Sequence, residues 1–99
     1  MEKIVIQVDA DLEDLIPGYL QNRRQDVDSI LQALEKQEFE AIRVLGHTMK
    51  GTGGGYGFDA ITEMGHALEE ASKDGNIPAI RQKAAALLAY LQRVDVVFK

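Results

Sequence analysis

The stretch Glu38-Phe-Glu-Ala-Ile-Arg-Val-Leu-Gly-His47-Thr-Met-Lys50-Gly-Thr-Gly-Gly-Gly-Tyr-Gly57 decides how this chain is read. Its first half sets Phe39, Ile42, Leu45 and Met49 at the spacing of one helix face. Its second half places five glycines in the seven positions after Lys50. A glycine inside a helix costs about 1 kcal/mol relative to alanine, so such a run needs a reason. Either it is a loop, or the backbone beside His47 has to stay bare.

Helical phase favours the bare surface. At ~100° per residue, Ile42, Leu45, Met49, Thr52 and Tyr56 fall within roughly 40° of the side opposite His47. The apolar stripe thus keeps its phase across the glycines; a helix begins near Glu38 and runs into the glycine stretch, with its continuity through Gly53-Gly54-Gly55, where it would fray or bend, left open. His47 stands on the outer face with Glu40, Arg43, Lys50, Gly51 and Gly54, all within roughly 60° of it.

Outward from this segment the chain is helical. Asp9 is placed to cap a short helix carrying Leu12, Leu15 and Ile16, and Pro17 opens or kinks the next. Leu20, Val27, Ile30, Leu31 and Leu34 then recur at helical spacing to about Lys36. After the glycines, Phe58, Ile61, Met64, Leu68 and Ala71 form the inner face of a further helix, with Thr62, His66, Glu69 and Lys73 outside. Asn76 caps the last helix, which has Pro78 in its first turn and Ile80, Ala84, Leu87, Leu91 and Val94 along one face. The links at Gln37, Gly57 and Asp74-Gly75-Asn76 are short, which makes neighbouring helices antiparallel. The expected fold is all-α: an antiparallel up-down four-helix bundle with a short additional N-terminal helix. Residues 1–8, with the β-prone Lys3–Val8, have no evident second strand and are read as an extended arm ahead of a bundle domain at 9–99.

Composition narrows the function. The chain has 99 residues, enough for one domain with a modest core. It has no cysteine, which removes disulfides, zinc–thiolate sites and thiol catalysis. A net charge of −5 argues against a general nucleic-acid binder, which usually carries a basic face. No apolar run reaches membrane-span length, and the N-terminus is too short and charged for a signal peptide, so the expected compartment is the cytoplasm.

An exposed imidazole with a bare surround and a cation one turn away suits reversible nucleophilic chemistry on an anion. Neutral imidazole is a nucleophile near physiological pH. A carboxylate on one ring nitrogen fixes the tautomer and frees the other nitrogen to attack. Because the helices of His47 and Glu69 are adjacent antiparallel partners, the Glu69 side can approach His47. Lys50 would offset negative charge on a transferred phosphoryl group, and the glycines would let a partner domain dock closely. The bland reading of a lone exposed histidine is a solvated surface residue. The Lys50 spacing and the neighbouring glycines weigh against it. Arg43 can form a docking rim and Lys73 can add positive potential, although both also suit simple surface positions.

These residues resemble the motif of the histidine-containing phosphotransfer (HPt) domains of phosphorelays: a histidine, two residues, Lys-Gly, then small residues and a further glycine. Here it reads His47-Thr-Met-Lys50-Gly51-Thr-Gly-Gly-Gly-Tyr-Gly57, followed by Phe58 and later Leu68-Glu69. The chain length and helical pattern match over nearly the whole sequence. The resemblance implies that His47 carries the phosphoryl group on Nε2 and that Lys50 helps hold its oxygens. It implies that Gly51, Gly54 and Gly57 keep the docking surface open or let helices pack. The stretch from His47 to Glu69 also resembles the phosphoacceptor domain of chemotaxis histidine kinases, where a second histidine and a glutamate support the active one; His66 and Glu69 fall at those positions. The run Gly53-Gly54-Gly55 is richer in glycine than the family pattern.

Rival chemistries fit less well. A P-loop needs Gly-Lys-Ser/Thr after its glycines and a strand before them, whereas Lys50 precedes the run. Gly55-Tyr-Gly57-Phe-Asp-Ala60 is a loose dinucleotide fingerprint without a βαβ unit. Glu63-Met-Gly-His66 is one Glu-x-x-His step, where a di-iron bundle needs two, so no metal is expected. The resulting reading is a stand-alone phosphocarrier without its own ATP site. It would exchange a phosphoryl group with response-regulator receiver domains and draw it from a sensor or hybrid histidine kinase. It needs no cofactor of its own, since any Mg²⁺ would sit on the receiver. The alternatives are a phosphoacceptor module of a chemotaxis-type kinase and a non-catalytic adaptor for receiver domains, the latter disfavoured by the intact His47 and Lys50.

Overall fold

A computed structural model describes residues 2–99. Four helices carry the fold: α1 (Ile16–Glu35), α2 (Phe39–Thr52), α3 (Asp59–Lys73) and α4 (Ile77–Arg93). Each packs on two others, α1 on α2 and α4, α3 on α2 and α4, with the α2–α3 interface the most extensive. The apolar stripes meet in one core, where Ile30, Ile42, Met49, Phe58, Ile61, Leu68, Ile80, Ala84 and Leu87 are fully buried. Along α2 and α3, Gly46 lies against Glu69 and Gly53 against Thr62, so these two helices run in opposite directions.

The helix ends follow from local chemistry. Pro17 and Pro78 sit in the first turns of α1 and α4, where a missing N–H costs nothing. Asn76 Oδ1 accepts from Ala79 N–H at 3.1 Å and caps α4. All three links turn on one left-handed residue, Gln37 (φ 55°), Gly57 (φ 93°) and Gly75 (φ 61°). Each is closed by the same pair of backbone bonds. At the first link Glu38 N–H reaches Ala33 C=O at 2.8 Å while Gln37 N–H reaches Leu34 C=O at 3.1 Å. Phe58 to Gly53 (2.8 Å) and Asn76 to Ala71 (3.0 Å) repeat the first bond, and Gly57 to Gly54 and Gly75 to Ser72 (both 3.1 Å) repeat the second. Glycine takes this conformation freely at two of the links, and Gln37 takes it against its own preference.

The structure corrects the expected fold in three places. The chain is mostly helical, and the all-α reading fits apart from one small strand pair. The arm contains a strand, β1 (Ile4–Val8), which pairs in parallel with β2 (Val94–Phe98) in the register Ile4↔Val94 to Val8↔Phe98. The arm therefore does have a partner; only Met1 lies outside the described residues. Val94 continues the apolar phase of α4, yet the run Val-Asp-Val-Val-Phe is β-branched, and the backbone turns extended at Val94 (φ −68°, ψ 133°). Second, the short N-terminal helix is a single 3₁₀ turn, Ala10–Leu12, with Asp9 Oδ1 accepting from Asp11 N–H at 2.9 Å. So few residues ahead of Pro17 cannot repay the cost of nucleating an α-helix. Third, α2 stops at Thr52 and does not run through the glycines. A 3₁₀ turn at Gly54–Tyr56 follows, and Gly57 reverses the chain. Tyr56 still turns inward, stacking on Tyr19 with ring centroids 4.4 Å apart.

Candidate phosphoacceptor site

His47 projects from the middle of α2 with 66% of its side chain exposed, while Glu69, from α3, is only 5% exposed. Their side chains meet, Nδ1 of His47 lying 2.9 Å from Oε2 of Glu69. The other carboxylate oxygen, Oε1, accepts from Lys50 Nζ at 3.2 Å. Helix phase alone puts Glu69 on the outer face; it is instead wedged under the α2–α3 contact, a correction to that expectation. Burial opposes the charged form of Glu69, but the hydrogen bonds from His47 and Lys50 together with their charges outweigh it, holding the carboxyl below its ordinary value of 4.5. An ionised carboxylate only accepts, so the proton of this hydrogen bond resides on Nδ1. In the neutral ring Nε2 then keeps its lone pair.

The glycines that bring these groups together lie outside the motif. A Cβ on Gly46 would stand 2.8 Å from Glu69 N and 2.8 Å from Gly65 O. A Cβ on Gly65 would stand 2.6 Å from Lys50 N and 2.7 Å from Gly46 O. The two helices therefore cross with backbone against backbone, and Glu69 reaches across to His47 and Lys50. Gly53, about two turns further along the same face of α2, repeats the contact: a Cβ there would stand 2.7 Å from Thr62 N. Thr62 pins this end: its hydroxyl accepts from Gly54 N–H at 2.8 Å and donates to Lys50 C=O at 3.2 Å. Sequence reasoning missed Gly46, Gly65 and Thr62. The available signal was a mid-helix glycine directly before each of the two histidines, with no turn to explain it.

The remaining predicted residues are placed as follows. Gly51 is open, since a Cβ added there would meet nothing within 4 Å, and a Cβ on Gly54 would meet only Asp59 Oδ1 at 3.5 Å and Thr62 Oγ1 at 3.6 Å. Gly57 is a turn residue beside Val8 and Gln7, away from the helix crossing. Arg43 is engaged by Glu40 on its own helix, with Nε 2.9 Å from Oε2. Lys73 pairs with Glu70 at 3.3 Å. His66 is exposed on α3 and is not joined to His47; its ring nitrogen lies within 4.8 Å of carboxylate oxygens of Glu69 and Glu70. Both Glu69 oxygens there already serve His47 and Lys50.

The site thus consists of a mostly exposed imidazole held at Nδ1 by a nearly buried carboxylate. The chain matches the family model of the Hpt domain over residues 14–96, and it belongs to that family. Hpt domains are phosphocarriers that act by histidine phosphotransfer in phosphorelays. Comparison with curated proteins and with solved structures returns no match. Among the described residues no helix is long and apolar enough to cross a membrane.

Proposed function

We propose that this chain accepts a phosphoryl group on His47 Nε2 and exchanges it with the aspartate of a response-regulator receiver domain. The observation that supports this most directly is the Glu69 contact to Nδ1, which leaves Nε2 as the exposed nucleophile. In the accepting direction the Nε2 lone pair attacks the phosphorus of the receiver's aspartyl phosphate. The P–O bond to the aspartate breaks, and the carboxylate leaves with the bonding pair. The ring gains positive charge as the N–P bond forms, and Glu69 offsets it through Nδ1–H. Lys50 Nζ, one turn from His47, balances the phosphoryl oxygens. The return step is the reverse.

On this reading the domain is an up-down antiparallel bundle that carries phosphate without an ATP site of its own. Mg²⁺ is supplied by the acidic pocket of the receiver, and the original donor is a sensor or hybrid histidine kinase in the cytoplasm. Gly51 and Gly54 give the receiver clearance beside His47, with Arg43 at the rim. His66 and Lys73 contribute through the local field rather than by contact with the ring. Neither nucleic acid nor a membrane enters the reaction.

The test is direct. Incubation with a phosphorylated receiver domain and Mg²⁺ transfers acid-labile, base-stable label to this chain, and His47→Gln abolishes it. Equal labelling of His47→Gln, or no label from any of several receiver donors, overturns the proposal.

A further inference from the structure

A phosphoryl group brings about two negative charges to its carrier at neutral pH. In the resting site Lys50 Nζ already lies 3.2 Å from Glu69 Oε1, so its one charge is opposed by that carboxylate before any phosphoryl oxygen arrives. Glu69 cannot give way, because its other oxygen holds His47 Nδ1. One lysine therefore leaves the group with an excess of negative charge. Besides its histidine, α2 carries two cationic side chains, Lys50 three residues after His47 and Arg43 four residues before it. Seven residues apart, they share one stripe of the helix, one on each side of the ring along the axis. Side chains of a helix lean toward its N-terminus, so a group on Nε2 extends over the turn that holds Arg43.

Arg43 is held back in the resting protein. Its Nε donates to Glu40 Oε2 at 2.9 Å, and its Nη2 donates to Glu40 Oε1. Glu40 is 75% exposed and Arg43 35%, so the pair is weak and exchanges readily. The hydrogen bond and charge of Glu40 and, after an opposing effect of desolvation, the charge of Glu69 raise the pKa of Arg43. The guanidinium thus already stands in the field of the carboxylate that backs the ring. We propose, resting on His47 as the phosphoacceptor, that Arg43 is the second cation of the site: phosphorylation draws its guanidinium from Glu40 onto the phosphoryl oxygens, and dephosphorylation returns it. The planar fork that fits a carboxylate also fits a phosphoryl group, which carries about twice the charge. Only side-chain torsions change, since Glu40, Arg43 and His47 lie on consecutive turns of one helix. Glu40 is a positioning residue: it orders the guanidinium beside the ring and competes with the phosphoryl group for it.

Phosphoramidate, a small P–N donor, phosphorylates exposed histidines without a receiver, and phosphorus NMR of the full chain then reads the titration of the group on His47, identified as the signal that His47→Gln removes. A neighbouring cation favours the dianion and lowers its pKa. Arg43→Gln should therefore raise the phosphoryl pKa by roughly half a pH unit or more, and Arg43→Lys should recover part of the shift. Lys50, Glu69, Glu40 and His66 are the same in all three proteins, so the difference reads the guanidinium. Glu40→Gln should lower the pKa in the wild type, and by clearly less once Arg43 is replaced by glutamine. The nitrogen resonance of Arg43 Nε should move on phosphorylation as its hydrogen bond passes from Glu40 to the phosphoryl group. Equal titration of wild type and Arg43→Gln, an Nε resonance that phosphorylation leaves in place, or the same Glu40→Gln shift in both backgrounds would overturn the role of Arg43 and leave His47 as the phosphoacceptor. Equal labelling of the wild type and His47→Gln would overturn both.

Discussion

Glu69 Oε2 lies 2.9 Å from His47 Nδ1, a bond made between a nearly buried carboxylate and a mostly exposed ring. That asymmetry gives the histidine one fixed nitrogen and one free nitrogen. Glu69→Ala should slow phosphotransfer by roughly 10- to 100-fold, the scale seen when a carboxylate that orients a histidine is removed. Circular dichroism should show the helices retained. An unchanged transfer rate would remove Glu69 from the reaction.

Gly65→Ala should both destabilise the fold and slow transfer. The added Cβ would meet Lys50 N at 2.6 Å, and backbone atoms cannot swing aside. Overpacking of this kind costs about 1–3 kcal/mol, or a melting-point drop of roughly 4–8 °C per kcal/mol in a domain of this size. Separation of α2 from α3 withdraws Glu69 from His47. Gly18→Ala, in α1 with nothing within 4 Å, is the control and should gain up to about 1 kcal/mol.

Gly51→Ala separates docking from stability. A Cβ there meets nothing, so the helix should gain about 0.5–1 kcal/mol. If the open surface beside His47 is clearance for a receiver, the same variant should transfer more slowly. Thermal melts and transfer rates measured together decide it; faster or equal transfer rejects the clearance role.

The acid limb of stability should carry the signature of Glu69. Its folded pKa is depressed below 4.5, chiefly because the His47 and Lys50 hydrogen bonds overcome the opposing effect of burial. A depressed carboxyl contributes stability that is present above the unfolded value and lost as the pH falls through the folded one. The difference in melting point between the wild type and Glu69→Gln should therefore be steady at neutral pH and shrink below pH 4.5.

Tyr90 should behave in the opposite sense. Its hydroxyl is buried without a hydrogen-bond partner among the described residues. Burial first, then the neighbouring Tyr19 and Asp59, raise its pKa above 10.0. Such a group favours the fold below the unfolded value, and that contribution disappears as the pH rises beyond it. Tyr90→Phe should gain about 1 kcal/mol at neutral pH by removing the unsatisfied hydroxyl, and it should flatten the alkaline fall in melting point.

Much of this was legible along the chain because it depends on near neighbours. The stripe Ile42, Leu45, Met49 and the capping Asn76 announce their helices, and the links at Gln37, Gly57 and Gly75 are the three left-handed turns. The His47–Lys50 spacing is a one-turn relation within a single helix. The β1–β2 pairing was not legible, since Ile4 and Val94 lie at opposite ends of the chain and a short apolar run does not name its partner.

What the sequence determined by itself, then, is the set of helices and the exposed histidine with its lysine, because helix formation and phase depend on residues a turn or two apart. What only the tertiary structure decided is how deeply the carboxylate is buried and that it contacts both His47 and Lys50. Glu69 has the phase of a surface residue on α3, and it became the partner of His47 because Gly46 and Gly65 let two backbones touch. The distance between helices is set by what both faces lack, and no periodicity within one helix contains that information.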